Sequence, residues 1–187
     1  MIGKQQPLFT PQTEWVPPLR LPDLSSHTEI AIDLETRDPN LLTMGSGSVR
    51  RDGEIVGIAV AVEGWSGYFP IAHEGGGNMD RELVLDWFEE VLHTDATKIF
   101  HNAMYDVSWI RSLGFQIRGG IIDTMIAASL IDEMRFSYTL DSVGKDYIGM
   151  RKNENLLKEA AQDFGVNAKA EMWRLPAPFV GEYAEKD

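Results

Sequence analysis

The first half of the chain shows the patterns that predict β-strands. Apolar residues alternate with acids in the run that ends at Thr36, which predicts a strand over residues 28–35. Residues 54–62 are rich in β-branched side chains, a glycine-containing turn follows at 63–67, and extended structure resumes at 68–71. We therefore predict an antiparallel three-stranded meander.

The second half changes to the spacing of amphipathic helices. The first helix is predicted to begin near Asn78 or Asp80, with an apolar face of Leu83, Val84, Trp87, Phe88, Val91 and Leu92. A strand is predicted at 97–100, then a helix opening at Asn102 with an apolar face of Met104, Val107, Ile110 and Leu113. The remaining predicted elements are a strand at 117–122, helices at 123–132, 138–147 and 153–164, and a helix opening at Pro178. This order predicts an α/β fold in which helices flank a mixed β-sheet.

Proline distribution and composition define the predicted domain organisation. Residues 1–27 carry five of the nine prolines and predict an extended N-terminal arm ahead of one domain at 28–187. The chain is 43% hydrophobic, as is typical of a globular protein, and has no cysteine, which excludes a disulfide framework and a thiolate metal site. No apolar run is long enough to span a membrane, so we expect a cytoplasmic protein with no membrane partner.

The charge balance limits how the protein can meet nucleic acid. The net charge of −12 argues against a basic face that grips duplex DNA. An enzyme that meets phosphates through bound cations instead needs acids in its site. A broad basic binding surface would then have to come from a further domain or a partner.

Asp33 and Glu35 lie at the end of the first predicted strand, one residue apart. Side chains at i and i+2 of a strand project from the same face, so the two carboxylates would lie side by side. Their repulsion costs stability unless a cation lies between them, which makes the pair a candidate site for a hard divalent metal. The alternative is a strand end that leaves two acids in solvent.

Two more motifs follow along the chain. Asn102 and Asp106 open the predicted helix after the strand at 97–100, while Tyr183 and Asp187 are four residues apart, a spacing that places them on one helix face. Together with the first pair of acids, and in this order, they resemble the three motifs of the DEDDy 3'-5' exonucleases. The resemblance is greatest to the proofreading domain of bacterial and phage family-A DNA polymerases, which has a ribonuclease H-like fold, and it covers residues 28–187.

The resemblance implies the chemistry of the site. It implies two divalent ions, Mg²⁺ with Mn²⁺ as a possible substitute, held by Asp33, Glu35, Asp106 and Asp187. It also implies hydrolysis of a single-stranded or frayed DNA 3' end to nucleoside 5'-monophosphates, with Tyr183 orienting the attacking water. Thr36 and Asn102 are the candidate substrate contacts. Met172 and Trp173 are further candidates for stacking on a base, although core packing is the preferred interpretation of both.

Three features depart from the motif pattern or compete with it. His101 and Asp106 also match the histidine form of the third motif in the DEDDh class; because they follow a strand, as the second motif does, we interpret His101 as structural. Relatives place a leucine wedge shortly after the first motif, where this chain has Pro39, so Leu41 or Leu42 is expected to take that role. The chain stops at its last predicted ligand, and we expect a DNA polymerase domain to follow in the parent protein.

Two other functions stay open at this point. A ribonuclease D-like RNA 3' exonuclease fits the same motifs, because they do not discriminate between sugars. A non-catalytic, exonuclease-like scaffold module is also possible. The intact acids and Tyr183 argue against it, since a scaffold has no physical need for carboxylates gathered at one point.

Overall fold

The computed structural model describes residues 13–150 and 153–186, and its centre is a five-stranded sheet in the order β3-β2-β1-β4-β5. The strands are β1 (Glu29–Arg37), β2 (Glu54–Val62), β3 (Trp65–Pro70), β4 (Thr97–Phe100) and β5 (Ile121–Asp123). The β1–β2 and β2–β3 pairs are antiparallel, whereas β4 is parallel to β1 and to β5. The structure thus confirms the three-stranded meander and the mixed sheet.

Helices cover both faces of the sheet. They are α1 (Leu41–Met44), α2 (Gly47–Arg50), α3 (Arg81–His93), α4 (Ala103–Ser112), α5 (Thr124–Ile131), α6 (Leu140–Ile148), α7 (Asn155–Phe164) and α8 (Ala177–Ala184), with a short 3-10 helix at Met172–Arg174. In the part of the chain that the structure describes, none of them is long and apolar enough to cross a membrane.

The two faces of the sheet contact different hydrophobic clusters. Ile32 and Leu34 of β1 point into the first cluster, which also holds Trp87 and Phe88 of α3. The second cluster lies on the opposite face, where Tyr68 of β3 packs with side chains of α7 and α8. Alternation along β1 therefore directs its acids toward the α7–α8 side.

Two of the predicted helix faces differ from the structure. Leu83 is 61% exposed. It lies in the first turn of α3, where its amide donates to the carboxylate of the N-cap residue Asp80, and the buried stripe begins one residue later, at Val84. Met104 is 79% exposed, because α4 buries Ala103 and Asp106 instead. Hydrophobic periodicity cannot detect a buried face that contains a carboxylate.

The strand predicted at 117–122 begins later, at Ile121. Gly119 lies at φ 79°, and a Cβ there would overlap the backbone carbonyl of Ala96, so the chain turns at this point before it joins the sheet.

The described part of the predicted arm packs against both sides of the domain. Leu24 is buried in the first cluster, and the indole N–H of Trp87 donates to the carbonyl of Pro22 at 2.7 Å. Trp15 packs against the second cluster. Residues 1–12 of the predicted arm lie outside the described residues.

Candidate active site

The acids of β1 lie beside a buried tyrosine. Asp33 pairs across the sheet with Ala59, which in turn pairs with Tyr68 of β3. Tyr68 is fully buried, and this burial, together with the negative charges of Glu35 and Asp33, raises its pKa well above the ordinary value. A Cβ at Gly57, opposite Glu35, would overlap the hydroxyl of Tyr68. Glycine at this position therefore allows a neutral phenol to pack next to the two carboxylates.

His73 connects Tyr68 to the segment before α8. Burial lowers the pKa of His73 to about 4, so the ring is neutral. Its Nδ1 lies 3.1 Å from the carbonyl oxygen of Leu175, which only accepts, so Nδ1 carries the proton. Nε2 then accepts from the hydroxyl of Tyr68 at 2.6 Å. The sequence pattern places His73 in a loop and contains no signal for this buried contact.

Asp106 reaches β1 from the first turn of α4. Asn102, the N-cap residue before this turn, has a φ of 70° and so lies in the left-handed region. Asp106 is 3% exposed, and its Oδ1 accepts the amide of Leu34, between the two acids of β1, at 3.2 Å. Burial and the charge of Asp33 raise the pKa of Asp106 to about 8. The second motif is thus brought against the first.

Asp123 holds the start of α4 in place. One carboxylate oxygen accepts the amides of Asn102 at 3.1 Å, Met125 at 2.9 Å and Ile126 at 3.3 Å, and the other accepts that of Ala103 at 2.8 Å. Burial alone would raise the pKa of Asp123, but these amide hydrogen bonds outweigh it and the pKa is lowered. One side chain therefore caps two helices, a role that the motif spacing does not predict.

The position after Glu35 is shaped by an irregularity of the sheet. The register of β1 against β2 shifts between Glu35 and Thr36, as in a β-bulge. The hydroxyl of Thr36 lies 2.7 Å from that of Tyr105, which donates to Asp38 at 3.3 Å. Thr36 is therefore held toward α4, and its role as a substrate contact stays a prediction.

His101 links the start of α5 to the segment before α6. Its Nε2 lies 2.8 Å from the carbonyl oxygen of Tyr138, and its Nδ1 lies 2.8 Å from the hydroxyl of Thr124. Both ring nitrogens thus contact neighbouring segments of the fold. These contacts support the structural interpretation of His101.

A cavity of about 200 Å³ opens on the face of the sheet that carries Asp33. Its lining includes Asp33, His101, Thr124 and Leu140, together with Ala184 and Glu185 from the end of α8. The predicted Tyr183 lies on α8 and packs against the second cluster. The third motif is thereby placed on the helix that borders the cavity, but its second member, Asp187, lies outside the described residues.

The other candidate substrate contacts differ in their surroundings. Leu42 on α1 is 97% exposed and Leu41 is 38% exposed, so both can be reached from solvent. Met172 is buried in the second cluster, which supports core packing. The guanidinium groups of Arg37 and Arg174 lie 5.2 and 5.6 Å from the ring of Trp173, which limits the room for a base.

The chemistry of the predicted donors fits a hard divalent cation, whereas the spacing of the three that the structure describes does not by itself form a metal site. Within residues 13–150 and 153–186, no three histidine, cysteine or acidic side chains are close enough together to hold a metal ion. This finding covers Asp33, Glu35 and Asp106, while the fourth predicted ligand, Asp187, lies outside the described residues. The donors offered by Asp33, Glu35 and Asp106 are all carboxylate oxygens. Burial first and the charge of Asp33 second raise the pKa of Asp106, and a cation would offset the second of these. The ligand set stays a prediction.

Several solved structures share the fold of this chain. Brucella melitensis NrnC bound to pGG matches with a TM-score of 0.54 and 19% identity, covering 88% of this chain and 68% of that one. Brucella melitensis NrnC with bound Mg²⁺ matches with a TM-score of 0.51 and 20% identity, covering 75% of this chain and 68% of that one. Escherichia coli RNase D, an exoribonuclease, matches at 0.50 with 16% identity, covering 80% and 37%. At these identities the likeness shows the fold alone, which is ribonuclease H-like.

Sequence comparison then gives the family. A family model described as 3'-5' exonuclease matches residues 21–187. A DNA-directed DNA polymerase of Pseudomonas phage M6 is 39% identical over 196 residues, covering 98% of this chain and 29% of the polymerase. The chain belongs to the 3'-5' exonuclease family, and the resemblance that the motifs indicated is confirmed. This chain spans less than a third of the length of that polymerase.

Proposed function

We propose that this chain removes nucleotides from single-stranded or frayed DNA 3' ends with two divalent metal ions, and so proofreads for a polymerase domain in the same parent protein. The observation that carries the proposal is the contact of the buried Asp106 with the backbone between Asp33 and Glu35. It joins two distant motifs, and one member of the first motif, Asp33, lines the cavity. The phage polymerase relative supports DNA as the substrate and the cytoplasm of a bacterial or phage-infected cell as the location.

The acids have a defined role in this proposal. Asp33, Glu35, Asp106 and Asp187 would hold Mg²⁺ or, in its place, Mn²⁺. Such ions, when bound, make a water more acidic and stabilise charge on the leaving 3' oxygen. Asp106 must lose its proton to act as a ligand, so its raised pKa makes metal binding depend on pH.

The remaining side chains would bind the substrate strand and orient the attacking water. A tyrosine hydroxyl has a pKa of about 10 in general and is a poor base at neutral pH, so Tyr183 would orient the attacking water. Thr36, beside the bulge, and Asn102, at the start of α4, would contact the substrate strand. Bases of that strand would contribute stacking energy, because the acidic site attracts phosphates poorly.

The direct test replaces Asp33 and Glu35 together by alanine. Loss of a metal site that supplies several kcal/mol should lower Mg²⁺-dependent release of mononucleotides from a 5'-labelled single strand by about 10³-fold or more. Glu29→Ala is the matched control, because Glu29 is an exposed acid at the other end of the same strand. Unchanged release by the double variant would refute this site.

Substrate and metal measurements separate the alternatives. We expect faster cleavage of DNA than of RNA of the same sequence, and the reverse would favour a ribonuclease D-like activity. We also expect calorimetric titration with Mn²⁺ to detect binding that the double alanine variant loses. An absence of binding to the wild type would favour a scaffold.

A further inference from the structure

Trp15, in the predicted arm, lies against the middle of α8. A Cβ added at Gly181 would overlap the indole ring of Trp15, so glycine at this position permits the contact. The hydroxyl of Thr13 donates to the carbonyl of Pro178 in the same helix at 3.4 Å. The two residues extend the contact along one side of α8.

Helix α8 is fixed at both ends by the α/β domain. At its start, the amide of Ala177 donates to the carbonyl of Gly76 at 2.9 Å. Beyond its end, a carboxylate oxygen of Glu185 accepts the amide of Tyr68 on β3 at 3.1 Å. The arm adds a third contact, with Trp15, between these two.

The position of α8 matters for the site. The helix has eight residues, and a helix this short depends on packing for its stability. It carries Tyr183, and its last turn lines the cavity together with Asp33. A small displacement of α8 would therefore move Tyr183 relative to the acids of β1.

We propose that Trp15 is a positioning residue for the reaction: the arm holds α8, and with it Tyr183, beside the acids of β1. This inference rests on the proposed exonuclease function, and it gives the described part of the arm a role in turnover. Trp15 also packs on Tyr68, with ring centroids 6.0 Å apart. Substitutions at Gly181 separate the effect on α8 from an effect on Tyr68.

A double-mutant cycle on the full chain tests the proposal. Trp15→Ala should lower kcat on single-stranded DNA by about tenfold or more, since a small misplacement of a reacting group is costly, with KM changed less than about threefold. Trp15→Phe keeps an aromatic ring and should retain kcat within about threefold. Gly181→Ala should also lower kcat, although alanine favours a helix over glycine, because its methyl group displaces the ring.

The double variant Trp15→Ala with Gly181→Ala should lose no more activity than Trp15→Ala alone, since the methyl group then has room. Leu24→Ala is the matched control: it removes a buried side chain of the same arm that packs in the other cluster, so it should lower stability but leave kcat unchanged. Additive losses in the double variant, or wild-type kcat in Trp15→Ala, would overturn the inference. If Trp15→Ala does not fold, Gly181→Ala and Trp15→Phe carry the test.

Hydrogen exchange distinguishes failure of this inference from failure of the proposed function. Amides of α8 should exchange faster in Trp15→Ala than in the wild type, and those of α3 should not. If the wild type shows no nuclease activity, the proposed function fails, while exchange still tests the contact. If the wild type is active and exchange in α8 is unchanged by Trp15→Ala, the positioning role alone is wrong.

Discussion

At the scale of single residues, Asp106 shows how the site opposes folding. Its pKa in the folded chain is raised from the ordinary 3.8 to about 8 by burial and by Asp33. The folded state therefore keeps a proton that the unfolded state has lost, so stability falls as pH rises from about 4 to about 8 and is constant above that. The same site that would bind a cation thus destabilises the metal-free protein.

Replacing Asp106 by Asn should relieve this cost. Asparagine keeps an oxygen for the amide of Leu34 but carries no charge, so without metal the free energy of unfolding at pH 8 should rise by on the order of 5 kcal/mol. Urea unfolding in EDTA between pH 5 and pH 9 measures the difference, which should shrink toward pH 5. Mg²⁺ should stabilise the wild type and not the variant. A pH-independent difference would contradict the assignment of the raised pKa to Asp106.

At the scale of elements, Asp123 joins two helices that the sequence presents as separate. Its carboxylate accepts amides from the starts of both α4 and α5. Since α4 carries Asp106, the geometry of the site depends on a side chain that is predicted neither as a ligand nor as a substrate contact.

Asp123→Ala should therefore destabilise the protein by about 2 kcal/mol, as expected for the loss of a helix cap that serves two helices. Asp123→Asn keeps one oxygen acceptor and should lose less stability than Asp123→Ala. Urea unfolding at pH 7 measures both. Because the folded pKa of Asp123 is lowered, the stability that it contributes is present above its unfolded pKa and is lost as pH falls through the folded value. A difference from the wild type that persists in strong acid would argue against this origin.

Local patterns predict the elements well but not the contacts between them. The strand at 97–100 and the order of the elements follow from periodicity alone, because those signals extend over a few neighbouring residues. Asp106 reaches Leu34 across 72 residues, His73 reaches Leu175 across 102, and Tyr68 reaches Glu185 across 117. Motif order located the first of these contacts. The other two leave no trace in spacing or composition.

At the scale of the whole molecule, negative charge exceeds positive charge. The net charge is −12, and the cations closest to Trp173 are already paired. Arg37 lies 3.2 Å from a carboxylate oxygen of Glu54, and Arg174 lies 2.7 Å from one of Glu171. These two guanidinium groups are thus already engaged by carboxylates and poorly available to a phosphate backbone.

Binding of single-stranded DNA should therefore depend weakly on salt. With no more than about two phosphates neutralised by side chains, the slope of log K against log salt concentration should be about −1.5 or shallower. Fluorescence anisotropy of a labelled oligonucleotide, in EDTA to stop hydrolysis and between 50 and 300 mM salt, measures it. Arg37→Ala should leave the slope unchanged, because that guanidinium already pairs with Glu54. A slope steeper than about −4 would reveal a basic surface that the described residues do not explain, and would mean that phosphate attraction, not stacking, holds the strand.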